Sequence, residues 1–490
     1  MLKSGPTPTI NAVLEAPSEL FIGGDWRVSA SGERVAVVDP ATGDAFATVA
    51  AGGVEDAMCA VASAHEAAPD WAKTAPRIRS AILYRAFQLT MDRRDEIATL
   101  IVRENGKSLD DALGEVAYAA EFFRWFAEEA VRIDGDLRTS PSGTNKILVW
   151  RQPIGLSLMI TPWNFPAAMA TRKIAPAIAA GCTVVLKPAI ETPLTALLLA
   201  EVLRDAGVPP GVVNVVPTAQ SELTVSAMLR DPRVSKLSFT GSTGAGRTLL
   251  RTASDRVLSC SMELGGNAPF IVFDDADVDA AVDGALVAKM RNAGEACTAA
   301  NRFYVHTSLV ETFAARLAGR MEELRIGPGL DPGTQVGPLI NSRARDKVHA
   351  LVTEALSRGG RLLTGGRVPE GPGYFYPPTV LDNVDPDAEI FREEIFGPVA
   401  AIAAFRDERE VVDAANHTEH GLAAYVYSSD LARCLRVSEQ LNFGMVALNR
   451  GLLSDPSAPF GGVKQSGLGR EGGHDGILAF LETKYIAANW

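Results

Sequence analysis

The sequence predicts an α/β protein built around a doubly wound, largely parallel sheet. A strand-then-helix rhythm repeats from residue 155 to 273, and two of its helical stretches stop at glycines, Gly181 and Gly207. Glycine closes helices because it adopts the left-handed conformation without a Cβ clash. Pro209 and Pro210 follow the second glycine and block any continuation. At 490 residues the chain has room for two or three domains.

Residues 1–50 carry turn-rich text such as Ile22-Gly23-Gly24-Asp25-Trp26 and Asp39-Pro40-Ala41-Thr42-Gly43, which predicts short strands joined by tight turns. Residues 54–130 are helical in period. Asn145 to Gln152, NKILVWRQ, alternates as a strand exposed on one face does, and such a strand tends to seek a partner chain. The repeat then reads GLSLMI, a helix to Gly181, TVVL, a helix to Gly207, VVNVV, a helix, KLSF, a helix, and PFIVF. A second α/β stretch spans about 275 to 460, and the tail from 472 returns to alternation in FLETKYIAANW.

Composition narrows the function. With 47% hydrophobic and 22% charged residues the chain is globular. A formal charge of −12 repels nucleic acid and anionic membrane at long range, so neither is an expected partner. No apolar run approaches the ~18 residues of a membrane span, and the first segment, MLKSGPTPTINAVLEAPSEL, lacks the apolar core of a signal peptide. A cytoplasmic protein is expected. Cys59, Cys182, Cys260, Cys297 and Cys434 are scattered, with no C-x-x-C arrangement, so neither a disulfide framework nor a metal site is predicted. The plain reading of each is a buried, inert thiol.

Ligands of doubly wound sheets sit at the carboxyl ends of the strands. After the first strand comes Thr161-Pro162-Trp163-Asn164-Phe165-Pro166, whose prolines and aromatics hold the backbone around one amide. Asn164 is then either a placed hydrogen-bond donor or a cap for the next helix. After the second strand, Lys187-Pro188-Ala189 offers a lysine for a ribose or phosphate, or simply a solvated one. After the fourth, Phe239-Thr240-Gly241-Ser242-Thr243-Gly244-Ala245-Gly246-Arg247 leads into a helix whose first N–H groups suit a phosphate, although its glycine order differs from the dinucleotide fingerprint. Met262-Glu263-Leu264-Gly265-Gly266-Asn267 and Asn292-Ala293-Gly294-Glu295-Ala296-Cys297-Thr298 set a carboxylate and a thiol among small residues. An apolar setting would raise that carboxylate toward the range of a general base, and a thiolate is the strongest side-chain nucleophile.

TPWNFP, KPA, FTGSTGAGR, MELGGN, EACTAANR, Glu393-Glu394-Ile395-Phe396-Gly397-Pro398 and Pro459-Phe460-Gly461-Gly462 occur in one order along the chain. Together they resemble the aldehyde dehydrogenase superfamily over essentially its whole length. The resemblance implies Cys297 as nucleophile and Glu263 as the base that activates water. It implies Asn164, with the Cys297 N–H, as holder of the oxyanion. NAD or NADP is the implied cofactor: Lys187 and Glu394 at its riboses, Phe396 beside the nicotinamide, and the turn at Gly241 and Ser242 on the pyrophosphate. Thr161, Pro162, Trp163, Ala189 and Leu264 complete that wall. The fold implied is a cofactor domain over 1–132 and 152–262, a catalytic domain over 263–460, and a strand flap over 133–151 and 472–490. The flap pairs with a neighbouring subunit, making a homodimer or homotetramer.

Two departures bear on chemistry. Glu295 stands where the family usually has glutamine and would disfavour the thiolate if it pointed inward. Ile190 stands where NAD-preferring members often carry glutamate, while Glu191 lies next door, so NAD and NADP both stay open.

Within the superfamily the chain most resembles succinate-semialdehyde dehydrogenases, through VKQSGLGREGG at 463–473, the KMRNAG approach to Cys297, and TRK at 171–173. By that resemblance Arg172 and Arg291 grip the substrate's far carboxylate, which arginine binds bidentately, and Ser454 adds a hydroxyl. The plain alternative is two helix arginines paired with nearby acids. Glutarate semialdehyde or a sulfonated aldehyde would satisfy the same arginines. Some relatives carry a second cysteine two residues after the nucleophile; here that position is Ala299, so no local disulfide switch is expected. Two readings of other classes are a cofactor-free thiol hydrolase, which would want a histidine near Cys297, and a non-catalytic nucleotide-binding protein on the same fold.

Overall fold

The computed structural model describes residues 16–489; the reading of the N-terminal segment falls mostly on residues 1–15, outside the described residues. Strands β1 (Leu20–Ile22) and β2 (Asp25–Arg27) turn at Gly23 and Gly24, whose φ values of 70° and 88° suit glycine. Strands β3 (Arg34–Val38) and β4 (Ala45–Ala50) form a separate ribbon. Four helices follow, α1 (Val54–Lys73), α2 (Pro76–Asp92), α3 (Arg94–Asn105) and α4 (Leu109–Glu129), then β5 (Asp136–Thr139) and β6 (Lys146–Pro153).

The winding text folds as β7 (Leu156–Ile160), α5 (Pro166–Ala180), β8 (Val184–Lys187), α6 (Pro193–Asp205), β9 (Val213–Val215), α7 (Ser221–Arg230), β10 (Val234–Thr240), α8 (Thr243–Ser254) and β11 (Ser259–Glu263). Gly181 caps α5 at φ 96°, as its position predicts. The second α/β stretch supplies β12 (Ala268–Val272), α9 (Val278–Met290), β13 (Ala300–His306), α10 (Val310–Glu322), α11 (Ser342–Ser357), β14 (Arg361–Thr364), β15 (Thr379–Asp382), α12 (Glu389–Arg392), β16 (Val399–Phe405), α13 (Glu408–Asn416), β17 (Ala423–Tyr427), α14 (Leu431–Gln440) and β18 (Met445–Leu448). The chain closes with β19 (Gly467–Leu468), α15 (Asp475–Leu478) and β20 (Leu481–Ala488).

The first sheet has the order β19-β11-β10-β7-β8-β9-β1-β2, and the second β14-β15-β16-β13-β12-β17-β18. After β7 the chain moves through β8 and β9, then crosses back to lay β10 on the other side of β7. A crevice therefore opens at the carboxyl ends of β7 and β10. Residues of β7 and β8 alternate between two cores, Met159, Val184 and Leu186 on one face and Leu158, Ile160 and Val185 on the other. Burial on both faces is why these strands read as unbroken apolar runs.

Two sequence expectations change. PFIVF, read as the last strand of the first repeat, is β12 and lies inside the second sheet; the winding strands of the first sheet finish instead with β11, SCSME, whose polar residues hide its strand character and which β19 flanks. NKILVWRQ is a strand, but it is the middle one of the three-stranded sheet β20-β6-β5, so both its edges are paired within the chain. No helix among the described residues is long and apolar enough to cross a membrane.

Candidate active site

The carboxyl ends of β7, β10 and β11 face the segment that enters β13, and between them lies a cavity of about 330 Å³. Its wall contains Cys297, Glu263 and Asn164, together with Arg172, Arg291 and Ser454. Pro162, Trp163, Gly241, Ser242, Leu264, Glu394 and Phe396 also line it. Thr161, Lys187 and Ala189 do not; they are buried at and just beyond the carboxyl ends of β7 and β8.

Cys297 sits at the amino end of β13, not after a strand. Helix α9 stops at Met290, and Asn292 and Ala293 then adopt left-handed φ values of 52° and 51°, a conformation strained for residues with a Cβ. Hydrogen bonds hold this turn: the Asn292 N–H donates to Asp111 (3.0 Å), and its amide donates to the carbonyls of Asn164 (2.9 Å) and Glu295 (3.1 Å). Burial pushes the Cys297 thiol up to about 12; the Arg172 and Arg291 cations oppose that rise, and the Glu394 and Glu263 carboxylates add to it.

Glu263 ends β11 and is 3% exposed. Burial holds its carboxyl well above the usual carboxylate range and the nearby Glu471 charge raises it further, while Lys173, Arg172 and Arg470 pull it down. One of its oxygens, Oε2, has no hydrogen-bond partner. Glu471 is anchored by Lys173 at 2.5 Å and by Arg172 at 3.8 Å, and its backbone pairs with Phe460. Lys173 and Glu471 lie inside TRK and VKQSGLGREGG, where residue type alone assigns neither a role.

Arg172 faces the cavity and is also held by protein partners. It lines the cavity at 2% exposure, yet it donates to the Tyr118 hydroxyl, pairs with Glu471, and lies over the Phe460 ring at 4.1 Å. Its Nε is unpartnered. Arg291 is half-buried, stacks on Phe165 at 4.9 Å, and has no ion pair among the described residues. Tyr118 and Phe460, which sequence reading did not place in the site, complete this wall.

Asn164 does not cap α5: the cap position is Phe165, with no side-chain bond. Its Nδ2 donates to the Glu295 carbonyl at 3.0 Å, and its Oδ1 is buried without a partner. The Glu295 side chain turns away from the cavity and accepts the Ile340 N–H at 3.1 Å. Burial holds its carboxyl well above the usual range, while the Ile340 N–H and the Lys107 charge pull it down. Glu295 does not point into the cavity that holds the thiol.

On the opposite wall, Ser242 caps α8 by accepting the Ala245 N–H at 3.3 Å, and the Thr243 hydroxyl beside it is buried without a partner. Glu394 accepts the Gly266 N–H at 3.1 Å, and burial pushes its carboxyl up to about 7. Phe396, at φ 56°, meets Trp163 edge to face with centroids 5.4 Å apart. Lys187 is 8% exposed and not solvated; burial lowers its pKa and the Glu191 charge raises it. No histidine lines the cavity among the described residues; His420 instead bonds the Gly265 carbonyl at 3.1 Å. All five cysteines are free, and no cluster of metal-ligating side chains occurs among the described residues.

Comparison with known proteins places the chain in one family. A succinate-semialdehyde dehydrogenase of Paenarthrobacter nicotinovorans is 56% identical over 441 residues, covering 90% of this chain and 98% of that protein. A glutarate-semialdehyde dehydrogenase of Pseudomonas putida is 47% identical, covering 96% and 97%. Among solved structures, an NADP dependent enzyme of E. coli superposes with a TM-score of 0.96 at 46% identity, covering 97% and 98%. An NAD+ complex of aldehyde dehydrogenase from Bacillus cereus superposes with a TM-score of 0.95 at 33% identity, covering 100% and 99%. The sequence profile of the aldehyde dehydrogenase family matches residues 26–486, and this chain belongs to that family.

Proposed function

We propose that the protein oxidises a small anionic aldehyde, succinate semialdehyde, to its acid with NAD+ or NADP+. The observation that carries the substrate class is that Arg172, Arg291 and Ser454 share one cavity with Cys297, in a chain whose net charge is −12. A cationic pocket in an anionic protein is a selective feature for an anion. Glutarate semialdehyde and a sulfonated aldehyde carry the same terminal charge and are the alternatives.

The Cys297 sulfur attacks the aldehyde carbon, and the oxyanion that forms is received by the Cys297 N–H and by Asn164 Nδ2, which exchanges its bond to the Glu295 carbonyl for the new acceptor. Arg172 and Arg291, whose charges favour the thiolate, lower the cost of reaching it. A nicotinamide cofactor held beside Cys297 would supply the hydride acceptor needed to take the Cys297 adduct to a thioester. Glu263 then takes a proton from the water that attacks the thioester, releasing the acid and restoring the thiol.

The residues present fit a nucleotide. The buried, unpartnered Thr243 hydroxyl at the start of α8 and the Ser242 turn suit a pyrophosphate, Glu394 and Lys187 suit ribose hydroxyls, and Phe396 with Trp163 suits the nicotinamide ring. In this reading residues 1–132 and 152–262 hold the nucleotide, 263–460 carry the nucleophile, and 133–151 with 472–490 form a flap. The exposed Leu137, Trp150 and Tyr485 on that flap, with β5 and β20 as open edges, support self-association into a dimer or tetramer, which light scattering would measure. Five unpaired cysteines suit a reducing, cytoplasmic compartment.

The test is reduced-nucleotide formation with succinate semialdehyde and several neutral aldehydes, for wild type and Arg291→Ala, with NAD+ and NADP+ in parallel. Preference for the anionic aldehyde that disappears in Arg291→Ala supports the reading. Neutral aldehydes winning in both proteins would overturn the substrate class and leave the family untouched.

A further inference from the structure

Four residues of α4 fall on one stripe of the helix, Asp111, Glu115, Tyr118 and Phe122, spaced as successive turns require. Together they hold three parts of the cavity wall. Asp111 accepts the Asn292 N–H beside Arg291, Tyr118 and Phe122 pack on the Arg172 guanidinium, and Glu115 serves the Asn164 turn.

The Glu115 connection is the most elaborate. Its side chain and that of Lys107 are fully buried and form an ion pair of 2.6 Å. Glu115 Oε1 accepts the N–H groups of Ala167 (2.9 Å) and Ala168 (3.2 Å) in the first turn of α5. Lys107 Nζ donates to the Asn164 carbonyl at 2.8 Å and lies over the Phe165 ring at 4.1 Å, the ring that also carries Arg291. A buried ion pair is a poor source of net stability, because desolvating two charges offsets most of their attraction. What it supplies is direction, since each of its bonds has a required geometry.

We propose that the Lys107–Glu115 pair is a positioning device that fixes the turn between Trp163 and Phe165 from behind, setting the Asn164 amide against the oxyanion formed on Cys297. This rests on the reading of Asn164 as oxyanion donor. Neither Lys107 nor Glu115 lines the cavity, so both act through Asn164. Displacing a reacting group by even an ångström costs on the order of 100-fold in rate.

The test compares Lys107→Met and Glu115→Gln, the second keeping volume and an acceptor for the Ala167 and Ala168 N–H groups, with Asn164→Ala and the two double variants. Two reactions are followed in the full-length protein: aldehyde turnover, and alkylation of Cys297 by iodoacetamide, which forms the carbon–sulfur bond with loss of iodide and develops no carbonyl oxyanion. Expected are losses of roughly 10- to 100-fold in kcat for turnover, near-normal alkylation, and little further loss when either substitution is added to Asn164→Ala, as residues acting through one group show.

Normal turnover in both single variants, an equal fall in alkylation, or full additivity with Asn164→Ala would overturn the proposal while leaving the oxyanion reading intact. Should Lys107→Met fail to fold, Glu115→Gln decides alone; failure of both to fold overturns positioning in favour of a folding role. Full turnover in Asn164→Ala would overturn the oxyanion reading itself, and the proposal with it.

Discussion

Lys173 donates to Glu471 across 2.5 Å in a buried ion pair, and the Glu471 charge in turn bears on the Glu263 carboxyl. Glu263, the proposed base, is thus influenced, beyond its own burial, by a pair outside the motif that contains it. Its pKa is raised, so its basic form appears only as pH climbs above the ordinary carboxylate range, and thioester hydrolysis should rise with pH through that point. Glu471→Gln removes a negative neighbour and should move the rising limb of the kcat–pH profile to lower pH. Lys173→Met removes a positive one and should move it to higher pH. Superimposable profiles would show that the pair does not act on Glu263.

Glu263→Gln should separate the two halves of the reaction. Thioester formation needs the thiol, and hydrolysis needs the base, so the variant should release a burst of about one equivalent of reduced nucleotide and then slow by roughly 10²- to 10⁴-fold. Rapid mixing with mass spectrometry should find the acyl group on Cys297. A uniform slowing without a burst would place Glu263 before the hydride step.

Substitutions at the two arginines should differ in their effect on stability although both side chains line the cavity. Arg172 is enclosed by Phe460, Tyr118 and Glu471, and Arg172→Met leaves the buried Glu471 with one partner fewer. A cost of about 3 kcal/mol is expected, against about 0.5 kcal/mol for Arg291→Ala at its half-buried site. Urea midpoints measured side by side check this, and equal midpoints would contradict it.

Glu295→Gln should leave the Cys297 thiol as reactive as in wild type. The Glu295 carboxyl is directed at the Ile340 N–H and away from the cavity, burial raises its pKa, and glutamine preserves its shape. The pH dependence of iodoacetamide labelling is the readout; a marked rise in the variant's thiol reactivity at neutral pH would mean that Glu295 carries charge.

Much of the architecture is legible in the residues because its causes are local. Gly181 closes α5 since nothing but glycine takes that backbone angle cheaply, and the apolar runs of β7 and β8 declare burial on both faces. Strand β11 escaped because Ser259 and Ser261 accept contacts from Lys236 inside the protein, so polar text was hiding a core position. Strand β6 showed its exposure but not its neighbours, since pairing with β5 and β20 depends on segments far apart in the chain.

The same division runs through the site. The chemical groups, the Cys297 thiol, the Glu263 carboxyl, the Asn164 amide and the arginines, follow from residue type, short motifs and their order, which a linear text preserves. Their protonation and aim do not. Whether Glu295 threatens the thiol, which acids and rings hold Arg172, and what governs Glu263 depend on Ile340, Phe460 and Glu471, residues brought near from elsewhere in the chain. Burial and the direction of a charge are properties of packing, and packing exists only once the sheets have closed around the cleft.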